Sequence, residues 1–98
     1  MNIKNDIKIG SMSYNVKITN EPIILDHQEC KGIIEYDDLV IKISNKIAKQ
    51  RQEETFIHEI LHGIIRERNL EIEDEEILVD EISKGLYQFI NDNIDIFR

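Results

Sequence analysis

KIAKQRQEETFIHEILHGIIRERN, residues 46–69, decides the fold of this chain, because the apolar residues change here from strand-like alternation to helical spacing. One arc of the predicted helix is apolar and consists of Ile57, Ile60, Leu61, Ile64 and Ile65. Ser44 or Asn45 is a suitable N-cap, and Asn69 is a suitable residue to end the helix. The stretch therefore predicts one long amphipathic helix.

Within this helix lies HEILH, residues 58–62. At about 100° per residue, His58 and His62 lie one turn apart on the same side, so both imidazoles can bind one metal ion. Glu59 lies about 100° round from His58, too far to be a third ligand but close enough to reach a water held by the metal. The pattern predicts a zinc (Zn2+) site with Glu59 as general base. The alternative is an amphipathic helix that carries two histidines and no metal.

The chain before this helix has the pattern of β-strands. Apolar and polar residues alternate over residues 7–18, with a turn or bulge at Gly10 and Ser11. Residues 32–44 predict a hairpin that turns at Asp37 and Asp38. We expect these segments to form a small antiparallel sheet.

A second helix is predicted over residues 75–92, after a short connection. Asp74 is its expected cap, and the acidic run at residues 73–76 suits the positive end of a helix dipole. Its apolar face consists of Leu78, Val79, Ile82, Leu86, Phe89 and Ile90. With 98 residues the chain is long enough for one domain, residues 1–98, in which the antiparallel sheet packs on two helices. The predicted fold class is α+β.

A catalytic zinc needs a third protein ligand, and the second helix begins with several carboxylates. Glu76 and Asp80 lie together at one edge of its apolar arc, so they can meet the histidines if the two arcs pack as an antiparallel pair. Glu76 is the predicted ligand, and Asp80 is predicted to accept the free ring N–H of a ligand histidine. Glu75 points into the apolar arc and remains the alternative ligand.

Peptide hydrolysis at such a site would also need a donor to the developing oxyanion. Tyr87 and Tyr36 are the two candidates. Residues 39–44 are predicted to form a sheet edge that can pair with an extended peptide. Lys42 in this segment is equally typical of an ordinary protected edge.

Composition excludes several classes of function. A formal net charge of −8 disfavours binding to nucleic acid and favours either a solvated acidic surface or basic partners.

The single cysteine, Cys30, can form no disulfide within the chain and is expected to be half-buried. His27 is expected in a loop outside the metal site. No stretch is apolar enough for a signal peptide or a membrane span, so the expected location is the cytoplasm.

HEILH, followed by a short connection and an acidic helix with EILVD at residues 76–80, resembles the zincin metallopeptidases with a glutamate third ligand. The order of hairpin, HExxH helix and acidic helix is similar to the minimal ImmA/IrrE-like metallopeptidases of phages and mobile elements, and less closely to SprT-like ones. The resemblance covers roughly residues 30–92, and HExxH is its only strong motif. Larger relatives have a second glutamate in the third-ligand segment, which this chain lacks.

The resemblance implies that His58, His62 and Glu76 bind zinc and that Glu59 is the catalytic base. It implies hydrolysis of a peptide bond in a protein or peptide substrate, which in some members is a repressor. A metal-binding regulatory or interaction protein without catalysis is the alternative function, because 98 residues leave little room for a substrate cleft. A third hypothesis is an acidic two-helix interaction module without metal. Glu59 discriminates between the first two, since a purely structural metal site has no need of it, whereas the third predicts a protein that binds no metal.

Overall fold

The computed structural model describes residues 1–97 of the chain. The elements in chain order are β1 Asp6–Ile9, β2 Met12–Thr19, β3 Ile24–Leu25, β4 Gln28–Glu29, β5 Gly32–Glu35, β6 Val40–Ser44, α1 Lys49–Glu67, α2 Glu75–Asp92 and a short 3-10 helix, Ile94–Phe97. Strands fill the first half and two helices follow. The predicted α+β fold is confirmed.

The main sheet has the strand order β1-β2-β6-β5, and β3 and β4 form a separate small hairpin. Antiparallel pairing joins β1 to β2 and β5 to β6, as the sequence predicts. However, β2 and β6 run parallel, so the sheet is mixed rather than antiparallel throughout. The parallel pair forms because residues 20–39 cross over, as the small hairpin and β5, before β6 enters beside β2.

The strand β6 lies inside the sheet. It pairs with β2 on one side and with β5 on the other, and its Ile41 and Ile43 are completely buried. The expectation that residues 39–44 form a sheet edge is therefore wrong, because both sides of this segment are already paired. The edge strands of this sheet are β1 and β5, and both contact α1, β5 more extensively.

The hydrophobic core lies between the sheet and α1. Its buried residues are Ile9, Tyr14, Val16, Ile41, Ile43 and Phe56. The hydroxyl of the buried Tyr14 donates a hydrogen bond of 2.7 Å to Oε2 of Glu67, so the polar end of this core residue is satisfied. A Cβ atom at Gly63 would lie 2.8 Å from Cδ1 of Ile9, so glycine lets α1 pack closely on the sheet.

The sequence predicted the C-terminal end of α1 correctly but not its N-cap. Ser44 completes β6 and accepts a hydrogen bond of 3.1 Å from the backbone N–H of Lys46, which leaves Ala48 as the N-cap residue. The prediction that Ser44 or Asn45 caps the helix is wrong, because the sheet holds this segment. At the other end the helix stops before Asn69, whose φ of 54° is left-handed, as expected for a residue that ends a helix.

The second helix, α2, has the predicted bounds but buries a different face. Asp74 occupies the N-cap position with a left-handed φ of 56° and makes no side-chain cap hydrogen bond. Only Val79 and Ser83 are buried, whereas Leu78, Ile82 and Phe89 of the predicted apolar face are exposed. This difference arises because α2 packs mainly on α1, which covers only one side of it.

Candidate metal centre

Two histidines on α1 form the centre of the site. His58 and His62 lie one helical turn apart, with ring centroids separated by 4.9 Å. Their side chains are 17% and 13% exposed, so the rings are sheltered but still reach the surface. This is the arrangement expected for two residues at i and i+4 on the edge of an apolar arc.

The third member of the site comes from the first turn of α2. One carboxylate oxygen of Glu76 lies 3.0 Å from Nε2 of His58, and the other lies 2.8 Å from Nε2 of His62. The donor atoms of these three residues all lie within 4.8 Å of one another. The group of His58, His62 and Glu76 can therefore hold a metal ion.

Carboxylates also face the opposite nitrogens of the two rings. Oε2 of Glu75 lies 2.6 Å from Nδ1 of His62, and Oδ1 of Asp80 lies 3.8 Å from Nδ1 of His58. The Nδ1–H of His62 can donate a hydrogen bond to Glu75, which leaves Nε2 of that ring available to a metal. At 3.8 Å, Asp80 is beyond hydrogen-bond distance of His58, so its predicted role as acceptor stays a prediction. Nε2 of both rings faces the Glu76 carboxylate, and this set of two imidazoles and one carboxylate can hold a divalent cation.

The charges around His62 favour its protonated form when no cation competes. Burial alone would lower the pKa of His62, but the hydrogen bond to Glu75 and the charges of Glu59 and Glu76 outweigh it and raise this pKa. A positive charge at this point is thus stabilised by several carboxylates. A metal cation would meet the same favourable field.

Glu59 lies beside the candidate ligands and is not one of them. Its side chain is directed into the protein, where the residue is only 7% exposed. Burial raises the pKa of Glu59 to about 7, although the nearby His62 lowers it. The residue also lines the cavity next to the histidines.

A cavity of about 580 Å³ opens onto this site between α1, α2 and the edge strand β5. Its walls include Leu25, Cys30, residues 31–34, Tyr36, Glu59 and Ser83, together with both histidines and the three nearest carboxylates of α2. The strand approaches α1 closely because residue 32 is glycine: a Cβ atom there would lie 2.5 Å from Cγ2 of Thr55. The same position would be 3.5 Å from a carboxylate oxygen of Glu59.

The two tyrosines predicted as oxyanion donors lie in different places. Tyr36 lines the cavity, and its hydroxyl lies 3.4 Å from the backbone oxygen of His62. Burial raises the pKa of Tyr36, so its hydroxyl keeps its proton. Tyr87 instead donates a hydrogen bond of 2.6 Å to Oε1 of the buried Glu53. The structure does not bring Tyr87 to the histidines, because it lies about 16 Å along α2 from Glu76.

The remaining candidate residues lie outside the group of three possible metal ligands. His27 lies in the turn of the β3–β4 hairpin with a φ of 66°, and it is not part of the metal-binding group. Cys30 is half-buried, as expected, and lies on the cavity wall. Glu75, the alternative ligand, faces Nδ1 of His62 rather than the point where the two Nε2 atoms converge.

The HEILH motif does not predict two features of the site. The contact of Glu75 with His62 depends on how α2 crosses α1, which helical periodicity does not specify. The close approach of β5 depends on Gly32, and a glycine at the start of a strand is the only signal of it in the sequence. Both features are set by packing between elements that are distant in the chain.

Comparisons with protein-family models, with curated proteins and with solved structures find no match for this chain. The likeness to zincin metallopeptidases therefore remains a prediction from the motif. Within residues 1–97, no helix combines the length and the apolar character that crossing a membrane requires.

Proposed function

We propose that this protein is a zinc-dependent peptidase. One observation carries the proposal: the Nε2 atoms of His58 and His62 and the carboxylate of Glu76 converge beside the cavity-lining Glu59. Two histidines and a carboxylate form a ligand set that zinc accepts in hydrolytic sites, with one position left for water. The separate, sheltered glutamate supports catalysis over a purely structural site.

Different residues of the chain would perform different parts of the reaction. Zinc held by the three ligands would lower the pKa of a bound water and polarise the carbonyl of the scissile peptide. The carboxylate of Glu59 accepts a proton from the attacking water, whose oxygen forms the new bond to the carbonyl carbon. Glu59 then delivers this proton to the amine nitrogen as the carbon–nitrogen bond breaks. Gly32 leaves room beside this carboxylate, since a Cβ atom there would lie 3.5 Å from one of its oxygens.

The edge of β5 is the proposed binding site for the substrate backbone. This strand pairs with β6 on one side only, so its other edge can pair with an extended peptide. Residues 31–34 also line the cavity, so a peptide paired with this edge would cross the metal site. Tyr36 follows the strand directly and is the proposed donor to the oxyanion.

The experiment that tests this function compares wild type with Glu59→Gln. Both proteins are loaded with zinc and assayed on unfolded casein and on a mixture of internally quenched peptides. The amide keeps the size of the side chain but cannot act as a base, so cleavage should fall by about 10²–10⁴-fold while zinc stoichiometry stays at one per chain. Glu71→Gln, an exposed position away from the cavity, is the matched control and should retain full activity.

Other outcomes separate the hypotheses. A wild-type protein that binds zinc but cleaves no substrate would leave a metal-binding protein without catalysis. Failure to bind zinc, even when the metal is added in excess, would remove both functions. Equal cleavage by wild type and Glu59→Gln would exclude Glu59 as the base.

A further inference from the structure

The negative charge of this protein is concentrated in one segment. Residues 71–95 contain nine Asp or Glu residues and one lysine, a formal charge of −8, which equals the net charge of the whole chain. The rest of the chain therefore has a balanced charge. The segment comprises α2 and its two flanks, so the acidic character belongs to one side of the molecule.

The same segment exposes an apolar stripe. Leu78, Ile82 and Phe89 are 42%, 50% and 46% exposed. With Gly85 they follow the spacing i, i+4, i+7, i+11, which keeps them within about 60° of one another around α2. The ring of Phe97, itself 57% exposed, lies at 6.5 Å from that of Phe89 and extends the stripe. We call this surface the α2 stripe.

A row of carboxylates runs along one side of the α2 stripe. Glu81 and Asp92 are exposed and lie on one flank, about 60–80° from the centre of the stripe. Asp74, the exposed N-cap residue, adds a carboxylate at the start of the helix. Lys84, the only basic residue of the segment, contacts Glu81 and Asp80 at 3.2 Å. The surface thus combines an apolar seam with a negatively charged rim.

This surface is separate from the metal centre. Glu76 and Asp80 lie about 140° and 180° round α2 from the centre of the stripe, on the side that faces α1. The stripe also has no role in the proposed peptidase reaction. Neither metal binding nor peptide hydrolysis therefore explains why these apolar and acidic residues are exposed.

Charge decides which occupant fits. A second copy of this chain would bring two segments of charge −8 together. Anionic lipids and nucleic acids would be repelled in the same way. A helix with leucine-like residues along one face and lysine or arginine beside them would complement both the apolar seam and the acidic rim. We propose that the α2 stripe docks a basic amphipathic helix of a partner protein.

The test uses a defined peptide as the partner. An amphipathic peptide of about 18 residues, with leucine at the stripe spacing and lysine elsewhere, is labelled and titrated with wild-type protein. A scrambled peptide of the same composition has the same charge but no apolar face. Wild type should bind the amphipathic peptide at least about tenfold more tightly, and higher salt should weaken the interaction.

Matched variants assign the binding to the stripe. Ile82→Ser with Phe89→Ser should weaken binding by about tenfold or more, because both exposed side chains lose their apolar contacts. Met12→Ser with Ile24→Ser changes two exposed apolar residues on the strands and should leave binding unchanged. Thermal unfolding of each variant checks that the fold is retained.

The acidic rim is tested in the same way. Asp74→Asn with Asp92→Asn should weaken binding and reduce its dependence on salt. Asp37→Asn with Asp38→Asn, in the turn between β5 and β6, makes the same change of charge and should have no effect. This pair also tests the proposal if the serine variants do not fold.

Two results would overturn the proposal. Equal binding of the amphipathic and scrambled peptides would mean that charge alone attracts the peptide and the apolar seam has no role. A dimer in sedimentation experiments that Ile82→Ser dissociates would mean that a second copy covers the stripe.

Discussion

The two helices, α1 and α2, are almost equal in length but differ in how much of their surface the fold encloses. α1 lies between the sheet and α2, and it buries Glu53, Phe56, Ile57, Glu59, Gly63 and Ile65. α2 lies on the outside and buries only Val79 and Ser83. An amphipathic pattern therefore produced a central helix in one case and a peripheral helix in the other.

The difference separates two kinds of surface. On the side of α2 that faces α1, carboxylates contact particular ring nitrogens of His58 and His62. On the other side, exposed apolar residues have few neighbours within the fold. Substitutions on the inner side should change metal binding or the packing of the fold, whereas those on the outer side should change neither. Substitutions on α1 and on the two sides of α2 test this separation.

Loss of a ligand from α1 should have the largest effect. Zinc at 100 times its dissociation constant should stabilise the wild-type protein by about 2.7 kcal/mol. His62→Ala should reduce zinc affinity by more than about 100-fold, because even the loss of a residue that only contacts a ligand costs about 10–100-fold. Calorimetric titration and the zinc-dependent rise of the unfolding temperature measure this effect. His27→Ala is the control, and equal loss in both variants would contradict the assigned site.

Loss of a residue that only orients a ligand should have the next largest effect. Glu75→Gln weakens the acceptor at 2.6 Å from Nδ1 of His62, so zinc affinity should fall by about 10–100-fold. Glu73→Gln removes the same charge from an exposed position and should change affinity much less. The same titration measures both variants. If they lose equal affinity, the contribution of Glu75 is only its charge.

The sequence predicted the parts of this site that depend on positions close in the chain. The pairing of His58 with His62 and the offset of Glu59 follow from helical geometry alone. The bounds of α2 and the left-handed Asn69 also follow from local patterns. These features need no knowledge of what packs against them.

Other parts depend on contacts between distant segments and were not predictable. The parallel pairing of β2 with β6 made β5 the edge strand and placed residues 39–44 inside the sheet. Periodicity also identified the apolar arc of α2 but not which part of it α1 would cover. Leu78 and Ile82 consequently remained exposed although their pattern resembles that of a buried face.

The two sides of α2 should differ in their contribution to stability. Val79 is 1% exposed and packs toward α1, so Val79→Ala should destabilise the fold by about 2 kcal/mol. Ile82 lies three residues further on and is 50% exposed, so Ile82→Ala should change stability by no more than about 0.5 kcal/mol. Urea unfolding of the two variants measures the difference. A large loss at Ile82 would show that the outer side is covered in solution.

The smallest effect should come from one substitution made in both helices. Gly85→Ala on α2 adds a methyl group that would have no atom within 4 Å, so the better helix propensity of alanine should stabilise the protein by about 0.5–1 kcal/mol. Gly63→Ala on α1 has the same gain in propensity, but its methyl group would lie 2.8 Å from Cδ1 of Ile9 and 3.0 Å from Cδ1 of Ile34. Crowding of this kind costs about 1–3 kcal/mol, so Gly63→Ala should be neutral or destabilising. Urea unfolding compares the two variants, and a stabilising Gly63→Ala would contradict the prediction because it would require α1 to be packed as loosely as α2.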